Sequence, residues 1–208
     1  MDLYKGDITN KDDLEKLFID YNKVGGIWGT IHLAAHKAVG ESGQKPLQYY
    51  ENNITGTINL LTIMDKHNTK RFVFSSSATV YGCPEVIPIP ETSPMQAESC
   101  YGRTKVMTEQ ILKDLCDSQP NEWRAIALRY FNPAGAHPSG RIGEDPVGKP
   151  GNLLPLMAQV ATGRLPQSSF KVFGSDYPTP DGTCLRDYIH GKPLPLRPRD
   201  RNATRPAG

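Results

Sequence analysis

Short apolar runs alternate with amphipathic stretches along most of the chain. Leu3-Tyr4-Lys5 runs into Gly6-Asp7 and reads as the tail of a strand with its turn. A helical pattern follows, with Leu14, Leu17 and Phe18 on one face and Asp12 and Asp13 near its start. After the Gly25-Gly26 turn, Ile27 to Leu33 reads as a short buried strand. Residues 46–67 hold another helix, with Ile54, Ile58, Leu61 and Ile63 as apolar positions. Arg71 to Phe74 reads as a strand that runs into Ser75-Ser76-Ser77, and a Pro-rich loop comes next. Tyr101 to Leu115 is helical, with Val106, Met107, Ile111, Leu112 and Leu115 apolar, and Arg124 to Tyr130 is a further strand.

This alternation predicts an α/β fold, a Rossmann-like doubly wound parallel sheet. In such sheets ligands bind beyond the carboxyl ends of the strands. Asp7, Ala34 to Lys37, Ser75 to Thr79 and Phe131-Asn132 fall at those ends. After Asn132 the texture loosens into Gly, Pro and Asn, with one helix expected over Leu153 to Thr162 and one short strand over Phe170 to Phe173. Residues 1–131 therefore read as one domain, 132–190 as part of a smaller substrate lobe, and 191–208 as a disordered tail. That tail carries four Pro and four Arg among eighteen residues.

Composition narrows the function classes. A hydrophobic share of 38% and a net charge of +2 describe an ordinary globular chain, with no broad nucleic-acid footprint. No run approaches the roughly 18 apolar residues of a membrane span, and no signal peptide opens the chain. A cytoplasmic location is the expectation. The four cysteines, Cys83, Cys100, Cys116 and Cys184, have no paired spacing and read as free thiols. The five histidines, His32, His36, His67, His137 and His190, give no metal spacing.

The chemistry concentrates at Ser77 and at Tyr101-Gly102-Arg103-Thr104-Lys105. Residues four apart share a helix face, so Tyr101 and Lys105 can point into one cleft. A phenol with a pKa of about 10 is a poor base at neutral pH. A neighbouring ammonium is expected to lower that pKa. Tyr101 could then take a proton from a substrate hydroxyl while hydride leaves the same carbon, with Ser77 holding that hydroxyl. Alone, Tyr-x-x-x-Lys is weak: nine tyrosines predict roughly half a chance match, and Tyr188 with Lys192 is a second one.

Longer stretches are more specific. Residues 74–82, Phe-Ser-Ser-Ser-Ala-Thr-Val-Tyr-Gly, resemble the signature of the UDP-galactose 4-epimerases of the extended short-chain dehydrogenase family. Residues 101–105 resemble the Tyr-Gly-Lys-Ser-Lys box of that family. Residues 37–42, 129–133, 135–140, 173–179 and 181–190 agree in order, so the resemblance covers about residues 3 to 190. It implies NAD as cofactor and UDP-galactose and UDP-glucose as substrates. It also implies a homodimer of the full-length form. Tyr101, Lys105 and Ser77 would be catalytic. Asp7 and Ile8 would flank the adenine. Leu33, Ala34, Ala35, His36 and Lys37 would line the pyrophosphate and nicotinamide side. Asn52 would touch the cofactor, and Tyr130 and Phe131 would wall the nicotinamide pocket. Asn132, Asn152, Leu153, Lys171, Val172, Phe173 and Arg186 would hold the uridine diphosphate. Without the resemblance, Asp7 is a strand-end turn, Lys37 a surface lysine and Asn52 a solvated helix residue. Tyr130 and Phe131 are then core aromatics, and Arg186 a surface arginine.

Two departures stand against that pattern. The family begins with a strand and a glycine loop that cradles the pyrophosphate, and no Gly-x-x-Gly-x-x-Gly occurs in this chain. Past His190 the sequence leaves the family for Gly191-Lys192-Pro193, which looks like readthrough or a shifted frame. The expectation is therefore a sheet lacking its first strands, with weak NAD affinity, low stability and a tendency to aggregate. Two other functions remain open: an inactive fragment, splice product or degenerate paralogue, and another nucleotide-sugar epimerase or dehydratase. Dehydratases carry an acid after the strand-end Ser or Thr, where this chain has Ala78 and Thr79.

Overall fold

The computed structural model describes residues 2–148 and 150–191. The expected tail beyond residue 191, and with it Lys192, lies outside the described residues. The chain divides into two compact units, Met1–Tyr130 and Phe131–Gly208.

The first unit is a parallel three-stranded sheet with helices packed on one face. Helix α1 (Lys11–Asn22) starts where the Asn10 side chain accepts the Asp12 N–H, and Asp12 and Asp13 face the positive end of its dipole. Strand β1 (Thr30–His32) is followed by the short helices α2 (Val39–Gln44) and α3 (Pro46–Tyr50). A π-helical turn, Glu51–Thr55, then leads into α4 (Gly56–Lys66). Strand β2 (Arg71–Ser77) continues through all three serines, so only Ser77 stands at its carboxyl end. Helix α5 (Cys100–Ser118) is capped by Ser99, whose hydroxyl accepts the Gly102 N–H, and β3 (Arg124–Tyr130) closes the unit.

The strand order is β1-β2-β3, with Ile31, Val73 and Ile126 side by side in register. Alternation along β2 sends Phe72, Phe74 and Ser76 to the helical face, where they are buried. There Phe72 and Phe74 join Leu14, Phe18, Leu60, Ile63, Met64, Leu112 and Trp123 in one core. The opposite face is open: Ile31 is 71% and Ile126 58% exposed.

Three expectations need correction. The stretch 27–33 is not a buried strand: only 30–32 pair, and Leu33 is 67% exposed. With helices on one face alone, His32 is the one fully buried residue of the stretch, and Ile27 packs half-buried against the core. Leu3-Tyr4-Lys5 forms no strand, because no described strand lies beside it to complete a ladder. Residues 170–173 likewise form no strand but follow a 3-10 turn, Gln167–Ser169, without pairing to a neighbour strand.

In the second unit, β4 (Asn132–Ala134) pairs in parallel with β5 (Tyr188–His190), and α6 (Leu153–Ala161) is the main helix. The pair β4–β5 joins two segments of three residues each, too short for a periodic signal to register.

Candidate active site

Three side chains from two elements meet at the carboxyl end of β2. The strand ends at Ser77, and a short 3-10 turn (Ala78–Tyr81) folds back over it. The Ser77 hydroxyl accepts the Thr79 N–H at 3.3 Å and the Thr79 hydroxyl at 3.0 Å. With both acceptor sites engaged, the Ser77 proton is free to be donated. Tyr101 stands in the first turn of α5, half-buried, with the Ser77 hydroxyl near enough to favour its phenolate. Lys105 lies one turn further and is buried. Its Nζ donates to the Ser75 carbonyl at 2.7 Å. The same ammonium sits 4.7 Å from the Phe74 ring centroid and 5.5 Å from that of Tyr101.

Gly102 makes this closeness possible. A Cβ there would stand 3.1 Å from the Thr79 carbonyl oxygen and 3.0 Å from the Ala97 Cβ. Only glycine lets the start of α5 touch the turn behind Ser77 without pushing it back.

Burial governs the protonation of the site. It pushes the Lys105 ammonium from 10.5 down to about 8. It also pushes the Tyr101 phenol above its usual value, and the Ser77 hydrogen bond offsets only part of that rise. The expected lowering of Tyr101 by Lys105 is therefore corrected. The phenol loses solvation that the ammonium, held toward Ser75, does not replace. Beneath them His32 is held neutral, its pKa lowered to about 4 by burial and by the charge of Lys105.

The loop after β1 carries Leu33, Ala34, Ala35, His36 and Lys37. All are exposed except Ala35, which is half-buried. Asn53 fixes this loop from the π turn. Its Oδ1 accepts the His36 N–H at 2.8 Å, and its Nδ2 donates to the His36 carbonyl at 3.0 Å and to Thr104 at 3.1 Å. Thr104 in turn donates to the Tyr101 carbonyl at 2.7 Å. Thr57 donates to the Asn53 carbonyl, so His32 Nε2 is the donor to Thr57 at 3.0 Å. Ser42 of α2 accepts the Tyr101 N–H at 3.1 Å. Asn52, the residue singled out by sequence, is half-buried and donates to Asn53 Oδ1 at 2.8 Å. Sequence reasoning singled out Asn52 and missed Asn53, a polar residue that looks solvated in the sequence and is buried in the fold.

Asp7 is exposed, and its carboxylate accepts the Thr9 N–H and hydroxyl, both at 2.8 Å, which hold its pKa below the usual carboxylate value. Ile8 packs against the core beside Gly56. Tyr130 ends β3 at 39% exposure.

In the second unit, Phe131 is half-buried, and Asn132 on β4 donates through Nδ2 to the Asp187 carbonyl at 2.8 Å. Asn152 precedes α6 without a side-chain bond to it, its Nδ2 donating to Glu144 at 3.2 Å instead, and Leu153 opens the helix. Lys171, Val172 and Phe173 are exposed, Phe173 at 81%. Arg186 is exposed and donates to the Leu185 carbonyl at 2.6 Å.

The chain is similar to known proteins over most of its length. The chain is 56% identical over 185 residues to a bifunctional UDP-glucose 4-epimerase and UDP-xylose 4-epimerase of Pisum sativum, covering 89% of this chain and 51% of that one. It is 56% identical over 184 residues to a UDP-glucose 4-epimerase of Dictyostelium discoideum, covering 88% of this chain and 52% of that one. The chain thus spans about half the length of these curated relatives. Among solved structures, a UDP-glucose 4-epimerase from Bifidobacterium longum in complex with NAD+ and UDP superposes with a TM-score of 0.84. It is 49% identical, with 90% of this chain and 54% of that one covered. A family model described as the NAD dependent epimerase/dehydratase family matches residues 1–192, and the chain belongs to that family.

Proposed function

We propose that this chain carries the catalytic residues of a UDP-glucose 4-epimerase, interconverting UDP-galactose and UDP-glucose through a 4-keto sugar. The observation that carries the proposal is the meeting of Ser77, Tyr101 and Lys105 at the end of β2, on a scaffold similar to enzymes of that name. Tyr101 takes the proton of the sugar 4-hydroxyl and returns it to the same oxygen when hydride comes back to the other face of C4. Ser77, whose proton is free for donation, steadies that oxygen. Lys105 holds the β2 end through the Ser75 carbonyl and presents its charge beside the phenol. Ala78 and Thr79 supply no acid for dehydration, and the Thr79 hydroxyl is engaged on Ser77.

The residues fit NAD at its nicotinamide-ribose end, where Tyr101 and Lys105 share a helix face and Ser77 stands beside them. When bound, NAD supplies the hydride acceptor and donor for C4. Lys37, the loop 33–36, Asn52, Tyr130 and Phe131 are proposed to line that end, and Asp7 and Ile8 the adenine end. The same reading gives Asn132, Asn152, Leu153, Lys171, Val172, Phe173 and Arg186 to the uridine diphosphate. Arg186 suits phosphate by its planar fork of donors. No helix among the described residues is long and apolar enough to cross a membrane, and a cytoplasmic location accords with that. A homodimer belongs to the same reading. An apolar groove along α4 and α5, with Ile58, Leu61, Ile111 and Leu115, supports it, and the oligomeric state in solution tests it.

The test separates binding from chemistry. Ser77→Ala and Tyr101→Phe are expected to retain UDP binding by calorimetry while losing conversion of UDP-galactose in the presence of excess NAD. Conversion that survives in Tyr101→Phe rejects the assignment.

A further inference from the structure

One carboxylate on α5 is gripped from several sides in a way the proposed chemistry does not use. Glu109 follows Tyr101 and Lys105 at four-residue steps, so the three form one stripe along the helix. Its side chain is only 8% exposed. The Ser76 hydroxyl donates to Glu109 Oε1 at 2.5 Å. Arg129 Nε donates to both carboxylate oxygens, at 3.1 and 3.2 Å, and its Nη2 donates to Oε2 at 2.6 Å. Ser76 and Arg129 are register partners on β2 and β3, so neighbouring strands hold one helix through one carboxylate.

Arg129 then reaches past the strand end. Its Nη1 donates to the Tyr81 hydroxyl at 2.7 Å and to the Glu91 carbonyl at 3.1 Å, and the guanidinium lies 4.9 Å over the Tyr81 ring. Ser76 immediately precedes Ser77, and Tyr81 ends the turn that folds back over it. The network therefore holds the chain on both sides of Ser77 and ties it to the helix that carries Tyr101. Such paired, bidentate charge contacts fix geometry as well as adding attraction.

We propose that Glu109 and Arg129 are positioning residues that set the gap between Ser77 on β2 and Tyr101 on α5. Neither side chain acts on substrate; both act through Ser76 and Tyr81 on the placement of Ser77. The proposal deepens the reading above, since it rests on Ser77 and Tyr101 working as a pair. A purely structural pair would only stabilise the fold, and truncating one partner would only lower the melting temperature.

The test reads the Ser77–Tyr101 contact itself. In the chain labelled with 13Cζ-tyrosine, the Tyr101 resonance is assigned by its loss in Tyr101→Phe, and its shift is compared across variants by NMR. Ser77→Ala sets the scale. Glu109→Gln and Arg129→Met are expected to move the resonance by about half that displacement or more, because a misplaced donor loses much of its hydrogen bond. Leu14→Ala, remote from the site, is expected to lower the melting temperature and leave the resonance in place. Arg129→Lys keeps the charge but not the fork, so it is expected to move the signal the same way even if Arg129→Met does not fold. The proposal is overturned if the Glu109 and Arg129 variants lose stability as Leu14→Ala does while the Tyr101 signal stays at the wild-type position. It is also overturned if Ser77→Ala is silent. Neither NAD nor sugar is in the sample, so absence of turnover does not bear on the result.

Discussion

Replacing Lys105 by methionine should make the protein more stable at neutral pH while removing a residue proposed for catalysis. The lysine is 4% exposed, and burial pushes its pKa from 10.5 down to about 8. Each pH unit corresponds to about 1.4 kcal/mol, so carrying the charge into the fold costs about 3 kcal/mol. Methionine has a similar length and no charge, but it loses the bond to the Ser75 carbonyl, about 1 kcal/mol. A net gain of about 2 kcal/mol is expected at pH 7. The sign fixes its pH dependence. A depressed lysine pKa means that, between about pH 8 and pH 10.5, the unfolded chain binds more protons than the fold. The wild type therefore gains stability as pH rises through that window, and the advantage of Lys105→Met fades across it. All other titrating groups are shared by the two proteins and cancel in the difference. Urea unfolding followed by fluorescence suits the assay, since Trp123 is buried and Trp28 is exposed, both in the first unit. A variant less stable than wild type at pH 7, or an advantage that does not change up to pH 10.5, refutes the reasoning.

Asn53→Ala removes the partner of the His36 backbone N–H and carbonyl and of Thr104, and is expected to cost about 2–4 kcal/mol. Amide exchange at His36 should accelerate far more than exchange in β3. Gly102→Val forces α5 off the turn behind Ser77, and a loss of about 1–3 kcal/mol is expected from the close approach to Thr79 and Ala97. Thermal unfolding measures it, with conversion of UDP-galactose expected to fall further than stability alone explains. Asn10→Ala should cost about 1 kcal/mol by uncapping α1, with no effect on the Tyr101 environment.

Much of the first unit was legible because its signals are periodic. Phe72, Val73 and Phe74 form a short apolar run that ends in serines, and the apolar stripe of α5 repeats at helical spacing, so β2, β3 and α5 emerge from the sequence. The Tyr101–Lys105 pair followed from that same spacing. What stayed hidden depends on three dimensions. Whether β1 is buried on both faces depends on what packs against Ile31, which no local pattern states. Helix α2 has six residues and two glycines, so it offers no stripe to read. The polar web of Asn53, Thr57 and Thr104 is built from residues that look solvated until the π turn, α4 and α5 come together around them. The phenol of Tyr101 depends on a balance of desolvation against charge, and spacing alone gave the wrong sign.

The most direct measurement of the proposed chemistry is an isotope experiment on the chain itself. UDP-galactose carrying deuterium at C4 is incubated with the protein and excess NAD in ordinary water, and the product is read by NMR. UDP-glucose that keeps the deuterium at C4 is expected, with Tyr101→Phe slower by roughly a hundredfold or more. Product that has lost the label to solvent, or a Tyr101→Phe variant as fast as wild type, contradicts a Tyr101-dependent epimerisation at C4.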